Sequence, residues 1–243
     1  MMGRILFTTG TDTGIGKTMV SRALKHGFSA LGFTAQAYKP IESGCPIVNG
    51  QAFGDDALAL AGSDSALLEG IRLKAPLAPS VAARLEGHPP ININERADTI
   101  RRLASRSDVL IVEGVGGLMV PINDKEFVID LIRAIAPDAV ILVAGNRLGV
   151  LNHTISAAFL LDCVGHQAHG IVLNQLTATP EGPAESTNLS ELQHWLDRVV
   201  AFPFISDDSE DQLTEVGKAL VRALAFPFVD PPPAKTPIND WRP

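Results

Sequence analysis

A lysine and a threonine stand side by side at positions 17 and 18, behind glycines at 10, 14 and 16, in the run Thr9-Gly10-Thr11-Asp12-Thr13-Gly14-Ile15-Gly16-Lys17-Thr18. Glycines without a Cβ let a backbone turn its N–H groups toward phosphate oxygens. The lysine adds a full charge for the β- and γ-phosphates, and the threonine hydroxyl suits a magnesium ion. An apolar run precedes the segment and a helical pattern follows it, the context in which such a loop binds phosphate. The usual spacing is Gly-x-x-x-x-Gly-Lys-Ser/Thr, with the first glycine expected at Thr11; here it is Gly10, one position early. The reading is a nucleoside triphosphate site, for ATP with magnesium.

Three further groups fall near the ends of apolar runs. Lys39-Pro40-Ile41-Glu42-Ser43-Gly44 follows one of them, and Glu113-Gly114-Val115-Gly116-Gly117 follows another. A carboxylate at a strand end beside a phosphate loop is a place for a magnesium ligand, since magnesium takes oxygen donors and phosphate partners. Asp55-Asp56 opens a short helical pattern. On pattern alone that pair reads as a helix N-terminal acidic cap. Lys39 by itself also reads as a solvated surface lysine.

The elements that must position these groups alternate. Short apolar runs at 5–9, 34–38, 109–112, 139–143 and 170–173 read as strands. Helical patterns cover 19–31, 56–60, 95–105, 127–135, 151–163, 189–198 and 212–224. Residues 79–94 read as a loop with one short helix, and 177–188 as a mobile surface loop. Strands separated by helices predict an α/β fold with a mostly parallel sheet and helices on both faces, of the P-loop NTPase type, in a single domain. Ligands in such sheets bind at the carboxyl ends of the strands, where all the groups above would lie. The domain is expected to span 1–226, followed by a proline-rich tail, 227–243.

The 243 residues are 46% hydrophobic and 19% charged, with a formal net charge of −7. That acidic balance argues against sequence-independent nucleic-acid binding, which needs a basic surface. No apolar run is long enough to span a bilayer, and the apolar stretch near the N-terminus is too short for a signal peptide. Cys45 and Cys163 form neither a disulfide framework nor a zinc site. A cytoplasmic protein is expected, with no membrane and no nucleic-acid partner.

The ordered motifs resemble those of dethiobiotin synthetases, over most of the chain from Thr8 to about Pro203. The long-spaced phosphate loop is similar to that family's Thr-Gly-Thr-Asp-Thr-x-x-Gly-Lys-Thr. Residues 39–44 resemble its Lys-Pro-x-x-Ser-Gly, Asp56-Ala57-Leu58 its Asp-Ala-Leu, and residues 113–117 its Glu-Gly-Ala-Gly-Gly. Leu148-Gly149-Val150-Leu151-Asn152-His153 resembles its Leu-Gly-x-x-Asn-His, and Leu173-Asn174 its strand-end asparagine.

The resemblance implies an ATP-dependent ligase that closes the ureido ring of dethiobiotin from 7,8-diaminononanoate and carbon dioxide. Lys39 and Lys17 would be catalytic. ATP would contact Thr13, Gly14, Ile15, Gly16, Lys17, Thr18, Asp56, Glu113, Gly114, Val115, Gly116, Asn174, Gln175 and Pro203. Magnesium would be held by Thr18, Asp56 and Glu113. The diamine would meet Thr11, Ser43, Gly117, Gly149 and Asn152, near the interface of a homodimer. His153 is read either as a substrate contact or as a packed core or interface residue. Two departures stand out: Gly14 occupies a position where the family often has glutamate, and residues 199–204 replace its Gly-x-Ile-Pro. The alternative reading is an ATP-dependent dimerising switch of the partitioning-ATPase type, but those proteins carry an additional lysine early in the loop, and residues 10–13 contain none.

Overall fold

The computed structural model describes residues 3–48, 50–179, 182–206 and 209–229. In chain order the elements are β1 (Arg4–Gly10), α1 (Lys17–Ala30), β2 (Ala35–Tyr38), β3 (Ile41–Ser43), β4 (Ile47–Val48), β5 (Gln51–Ala52), α2 (Asp55–Ala61), β6 (Ile71–Leu73), α3 (Pro79–Leu85) and α4 (Ile93–Ala104). There follow β7 (Val109–Gly117), α5 (Val128–Ile135), β8 (Ala139–Gly145), α6 (Val150–Cys163), β9 (Ala168–Asn174), α7 (Pro183–Trp195), β10 (Val199–Phe202) and α8 (Glu210–Leu224).

The main sheet has six strands in the order β10-β9-β8-β1-β7-β2, and every pairing in it is parallel. The apolar strands alternate between two covered faces, as a buried parallel sheet requires. Leu110 and Val112 of β7 join the core under α4 and α5. Val109 and Ile111 of the same strand face the core under α1 and α8. On β8, Leu142 and Ala144 turn toward α6 and α7. The α/β fold expected from the alternation is therefore the one observed.

Helices α1 and α8 approach so closely that side chains have no room between them. A Cβ on Gly217 would lie 2.0 Å from the carbonyl oxygen of Ala23, and one on Gly27 would lie 2.3 Å from the Gly217 backbone. This contact clamps the helix that carries Lys17 and Thr18 onto the sheet. Beyond α8 the chain keeps packing: Phe228 stacks on Phe28 with ring centroids 5.9 Å apart, and Phe226 lies 5.2 Å from the same ring. The proline-rich remainder of the tail, 230–243, falls outside the described residues.

Several local expectations are corrected. Strand β7 does not stop at Val112 but runs to Gly117, because after an irregularity past Thr8 its glycine segment still pairs with β1, Gly10 opposite Gly117. The segment read as a loop up to residue 188 is helical from Pro183, a residue preset for the first turn, where its missing N–H costs nothing. Strand β10 was not anticipated at all. Strands β3 and β6 form a small parallel sheet of their own, and β4 and β5 a hairpin. Each of these strands has four residues or fewer, too few for a pattern of alternation to stand out.

Candidate functional site

The order of strands reverses around β1, so the crevice at its carboxyl end is open to a ligand. The phosphate loop fills that place. Its last residue, Gly16, caps α1 in the left-handed region at φ 86°. A Cβ there would fall 2.1 Å from Nδ2 of Asn174, which donates to the carbonyl of Ile15 at 2.8 Å. Glycine is thus required twice over, by backbone conformation and by the close approach of the β9 end.

Lys17 follows directly as the first residue of α1 and is 6% exposed. Its Nζ donates to the Asp12 carbonyl at 2.8 Å. Burial, and then repulsion from Lys39, pull its pKa down to about 8. The second lysine, Lys39, sits just past β2 and is 3% exposed. It donates to Oε1 of Glu113 at 2.5 Å and to Oδ2 of Asp56 at 2.9 Å. Burial alone would depress the Lys39 pKa, but the two carboxylates outweigh it and raise the pKa above the ordinary lysine value. Asp56 shows the mirror effect: burial raises its pKa, but Lys39 and the Thr18 hydroxyl outweigh that and hold it below the ordinary aspartate value.

Thr18 ties the cluster to the loop. Its hydroxyl lies 2.8 Å from Oδ1 of Asp56 and 3.0 Å from Oε1 of Glu113, and its single proton serves one of them at a time. Glu113 is fully buried at a position of β7 paired with Thr8 of β1. Its Oε2 has no hydrogen-bond partner among the described residues. An unpaired buried carboxylate oxygen is costly unless another group meets it. The oxygens of Thr18, Asp56 and Glu113 converge as a hard, all-oxygen donor set, and that chemistry fits magnesium.

Asp56 does not cap its own helix, as the simpler reading of its sequence would have it. Its side chain reaches out to Thr18 and Lys39, and the N–H groups of Asp56 and Ala57 are taken by Glu42. Lys39 is likewise not a solvated surface lysine. His153 is exposed, so it is not a core residue of this chain.

At the other side of the loop a cavity of about 340 Å³ is lined by residues 10–13, by 117–120 and by Ser156, Ala157 and Leu160 of α6. It brings Thr11 and Gly117 together, but Ser43, Gly149 and Asn152 do not line it. The Ser43 hydroxyl is buried with no partner among the described residues, whereas Gly149 and Asn152 are exposed around the start of α6. Gln175 and Pro203 lie side by side at the ends of β9 and β10, since the Gln175 N–H donates to the Phe202 carbonyl at 2.9 Å. Asn146 was not anticipated. Its side chain holds Gln175 at 2.8 Å and accepts from Asn188 at 2.9 Å, so it fastens α7 to this edge. Nothing in its sequence neighbourhood marks it, because both partners come from distant segments.

The family model that matches this chain, over residues 4–223, is described as an AAA domain. MinD from Pyrococcus horikoshii, solved with Mg-ADP, superposes with a TM-score of 0.54 at 17% identity, covering 92% of this chain and 94% of that one. A ParA family ATPase from Chlorobium tepidum gives 0.53 at 15% identity, covering 90% and 92%. At such identities the likeness is one of fold, and with the phosphate loop it defines the class: a P-loop nucleotide-binding α/β protein. Sequence relatives are more specific. The ATP-dependent dethiobiotin synthetase BioD of Nitrosospira multiformis is 38% identical over 199 residues, 81% of this chain and 85% of the relative. That of an Anaeromyxobacter species is 40% identical over 190 residues, 75% and 83% of the two chains. The chain belongs to the dethiobiotin synthetase family, as its ordered motifs suggest.

Proposed function

We propose that this protein is an ATP-dependent dethiobiotin synthetase, which closes the cyclic urea of dethiobiotin from 7,8-diaminononanoate and carbon dioxide and releases ADP and phosphate. The observation that carries the chemistry is the cluster in which the buried Lys39 and Glu113 meet the half-buried Asp56 and Thr18 beside Lys17. The named relatives support the same reading.

The steps are these. One amine of the diamine adds to carbon dioxide and loses a proton, leaving a carbamate. A carbamate oxygen attacks the γ-phosphorus of ATP, the bond to the β-phosphate oxygen breaks, and ADP leaves. The second amine then attacks the carbonyl carbon of the mixed anhydride, the carbon–oxygen bond to phosphate breaks, and phosphate departs as the amine gives up a proton and the five-membered ring closes. Carbamate and triphosphate are both anions, so their approach needs fixed positive charge in a water-poor site. Lys17 and Lys39 provide it from buried positions. In the cluster their charges are balanced by Asp56 and Glu113. Magnesium held by Thr18, Asp56 and Glu113 would tip that balance toward anion binding and neutralise charge on the phosphates. Lys39 then acts at the transferring phosphoryl group, and Lys17 with residues 13–16 and 114–116 holds the triphosphate.

The diamine is assigned to the cavity beside Thr11 and Gly117. A contact with Ser43, which lies outside the lining with its hydroxyl buried and unpartnered among the described residues, is assigned from the family motif and needs that hydroxyl to turn toward the substrate. Gly149 and Asn152 would reach the substrate's carboxylate end across a homodimer interface. Exposed apolar side chains support the assembly: Met119, which lines that cavity, at 52%, and Leu148 and Phe159, just before and on α6, at 85% and 61% exposure. Asn174, Gln175 and Pro203 are assigned to the nucleobase, at the ends of neighbouring strands. No helix among the described residues is long and apolar enough to cross a membrane, and a cytoplasmic location is proposed.

The test is product formation. Purified protein is expected to make ADP and phosphate only when diaminononanoate and bicarbonate are both supplied with Mg·ATP. Brisk ATP hydrolysis that the diamine does not stimulate would refute the ligase reading.

A further inference from the structure

Glu42 lies in the motif after β2, at a position that the family pattern leaves open. It is 7% exposed and sits on β3, outside the helix it serves. Its Oε1 accepts the N–H of Asp56 and its Oε2 the N–H of Ala57, both at 3.0 Å. The formal N-cap of α2, Gly54, has no side chain to offer those donors. A Cβ there would lie 2.2 Å from Oε2 of Glu42, so any side chain at this position would push the Glu42 carboxylate off its two N–H donors. The small β3–β6 sheet sets Arg72 directly opposite Glu42, and the Arg72 Nε lies 3.9 Å from Oε2. The arrangement fixes one peptide N–H, that of Asp56, in the same residue whose carboxylate touches Thr18 and Lys39.

We infer that Glu42 is a positioning residue: by holding the Asp56 backbone from a separate strand, it aims the Asp56 carboxylate into the magnesium and phosphate site. This rests on the assignment of Asp56 as a magnesium ligand in the proposed function. A carboxylate on the first turn of a seven-residue helix has little helix behind it to hold its direction. Two charge-assisted hydrogen bonds from a rigid strand supply that hold. A role confined to stabilising α2 would instead lower stability without acting through Asp56.

The experiment uses the purified full chain and six forms: wild type, E42A, E42Q, D56N, E42A/D56N and E42Q/D56N. Binding of Mn²⁺ in the presence of ADP is followed by the electron paramagnetic resonance of free Mn²⁺, with circular dichroism to verify folding. E42A is expected to weaken Mn²⁺·ADP binding by about five- to tenfold, the size of a lost cap. E42Q should fall between, because one amide oxygen can accept only one of the two N–H groups well. In the D56N background, E42A should add nothing. Unchanged binding in E42A and E42Q while D56N is impaired would overturn the role of Glu42, and so would losses that simply multiply in the double variant. Wild-type binding in D56N would remove Asp56 from the metal site, overturning the ligand assignment and the inference built on it. Should E42A fail to fold, E42Q with and without D56N makes the same comparison.

Discussion

Nζ of Lys39 lies 2.5 Å from Oε1 of Glu113, and neither side chain is open to solvent, at 4% and 0% exposure. Such a pair is held by mutual need. Breaking a buried ion pair by deleting one partner leaves the other charge stranded, a larger effect than the pair's net contribution. Lys39→Ala should therefore abolish ring closure and lower stability together, the latter by about 3–5 kcal/mol. The checks are single-turnover ADP release and urea unfolding. Lys39→Ala combined with Glu113→Gln should recover part of the stability but none of the turnover. Full turnover in Lys39→Ala would remove Lys39 from the chemistry.

Gly16→Ala tests the loop. The new Cβ would meet Asn174 at 2.1 Å on a backbone already at φ 86°. Left-handed strain alone costs about 1–3 kcal/mol, and either the loop or the Asn174 side chain must also shift, breaking its bond to the Ile15 carbonyl. Calorimetric titration should show ATP affinity reduced by tenfold or more. Affinity within twofold of wild type would mean the loop is more compliant than its packing indicates.

Gly217→Ala probes the clamp between α1 and α8. Its Cβ would lie 2.0 Å from a carbonyl oxygen of α1, a backbone atom that cannot swing aside. Overpacking of this kind costs about 1–3 kcal/mol. The melting temperature should fall, whereas a variant as stable as wild type would show that the two helices can separate without loss.

His169 offers a pH test of stability. Its ring stacks on Phe226 at 4.6 Å, and its Nε2 lies 3.0 Å from the Leu224 carbonyl. Burial, followed by the nearby Arg198, lowers its pKa below the ordinary 6.5. The unfolded chain thus binds this proton more readily than the folded one. The stabilising contribution is complete above pH 6.5 and is lost as pH falls through the depressed folded value. His169→Phe keeps the stack and cannot titrate. The stability difference between wild type and variant should shift against wild type as pH drops from 7 to 5. A difference independent of pH would show that His169 does not titrate separately in the two states.

The phosphate loop, the charged and glycine-rich groups that follow Tyr38 and Val112, and the strands with unbroken apolar runs were all legible in the sequence. Each is a local signal, since the residue types and spacing that mark it are the ones that do the work. Lys39 and Asp56 were ambiguous by themselves, because a lysine after a strand and an aspartate in a helix's first turn have ordinary surface explanations. Only their order alongside the loop, shared with a known family, lifted them out. Strand β10, the β3–β6 pair and the start of α7 were missed, as their identity depends on remote partners.

The opening loop and the sheet's handed succession of strands and helices were thus determined by the sequence itself, through glycine placement, charge type and apolar periodicity. Which carboxylate faces which ammonium was decided by the tertiary structure. Glu113 meets Lys39 because β7 runs between β1 and β2, and the Asp56 carboxylate is free to turn toward Thr18 and Lys39 because Glu42, on a separate strand, takes the N–H groups at the start of α2. Hydrogen bonds and ion pairs act over a few ångströms, and the residues they join here stand up to 159 positions apart, as Ile15 and Asn174 do. Packing is what closes that distance.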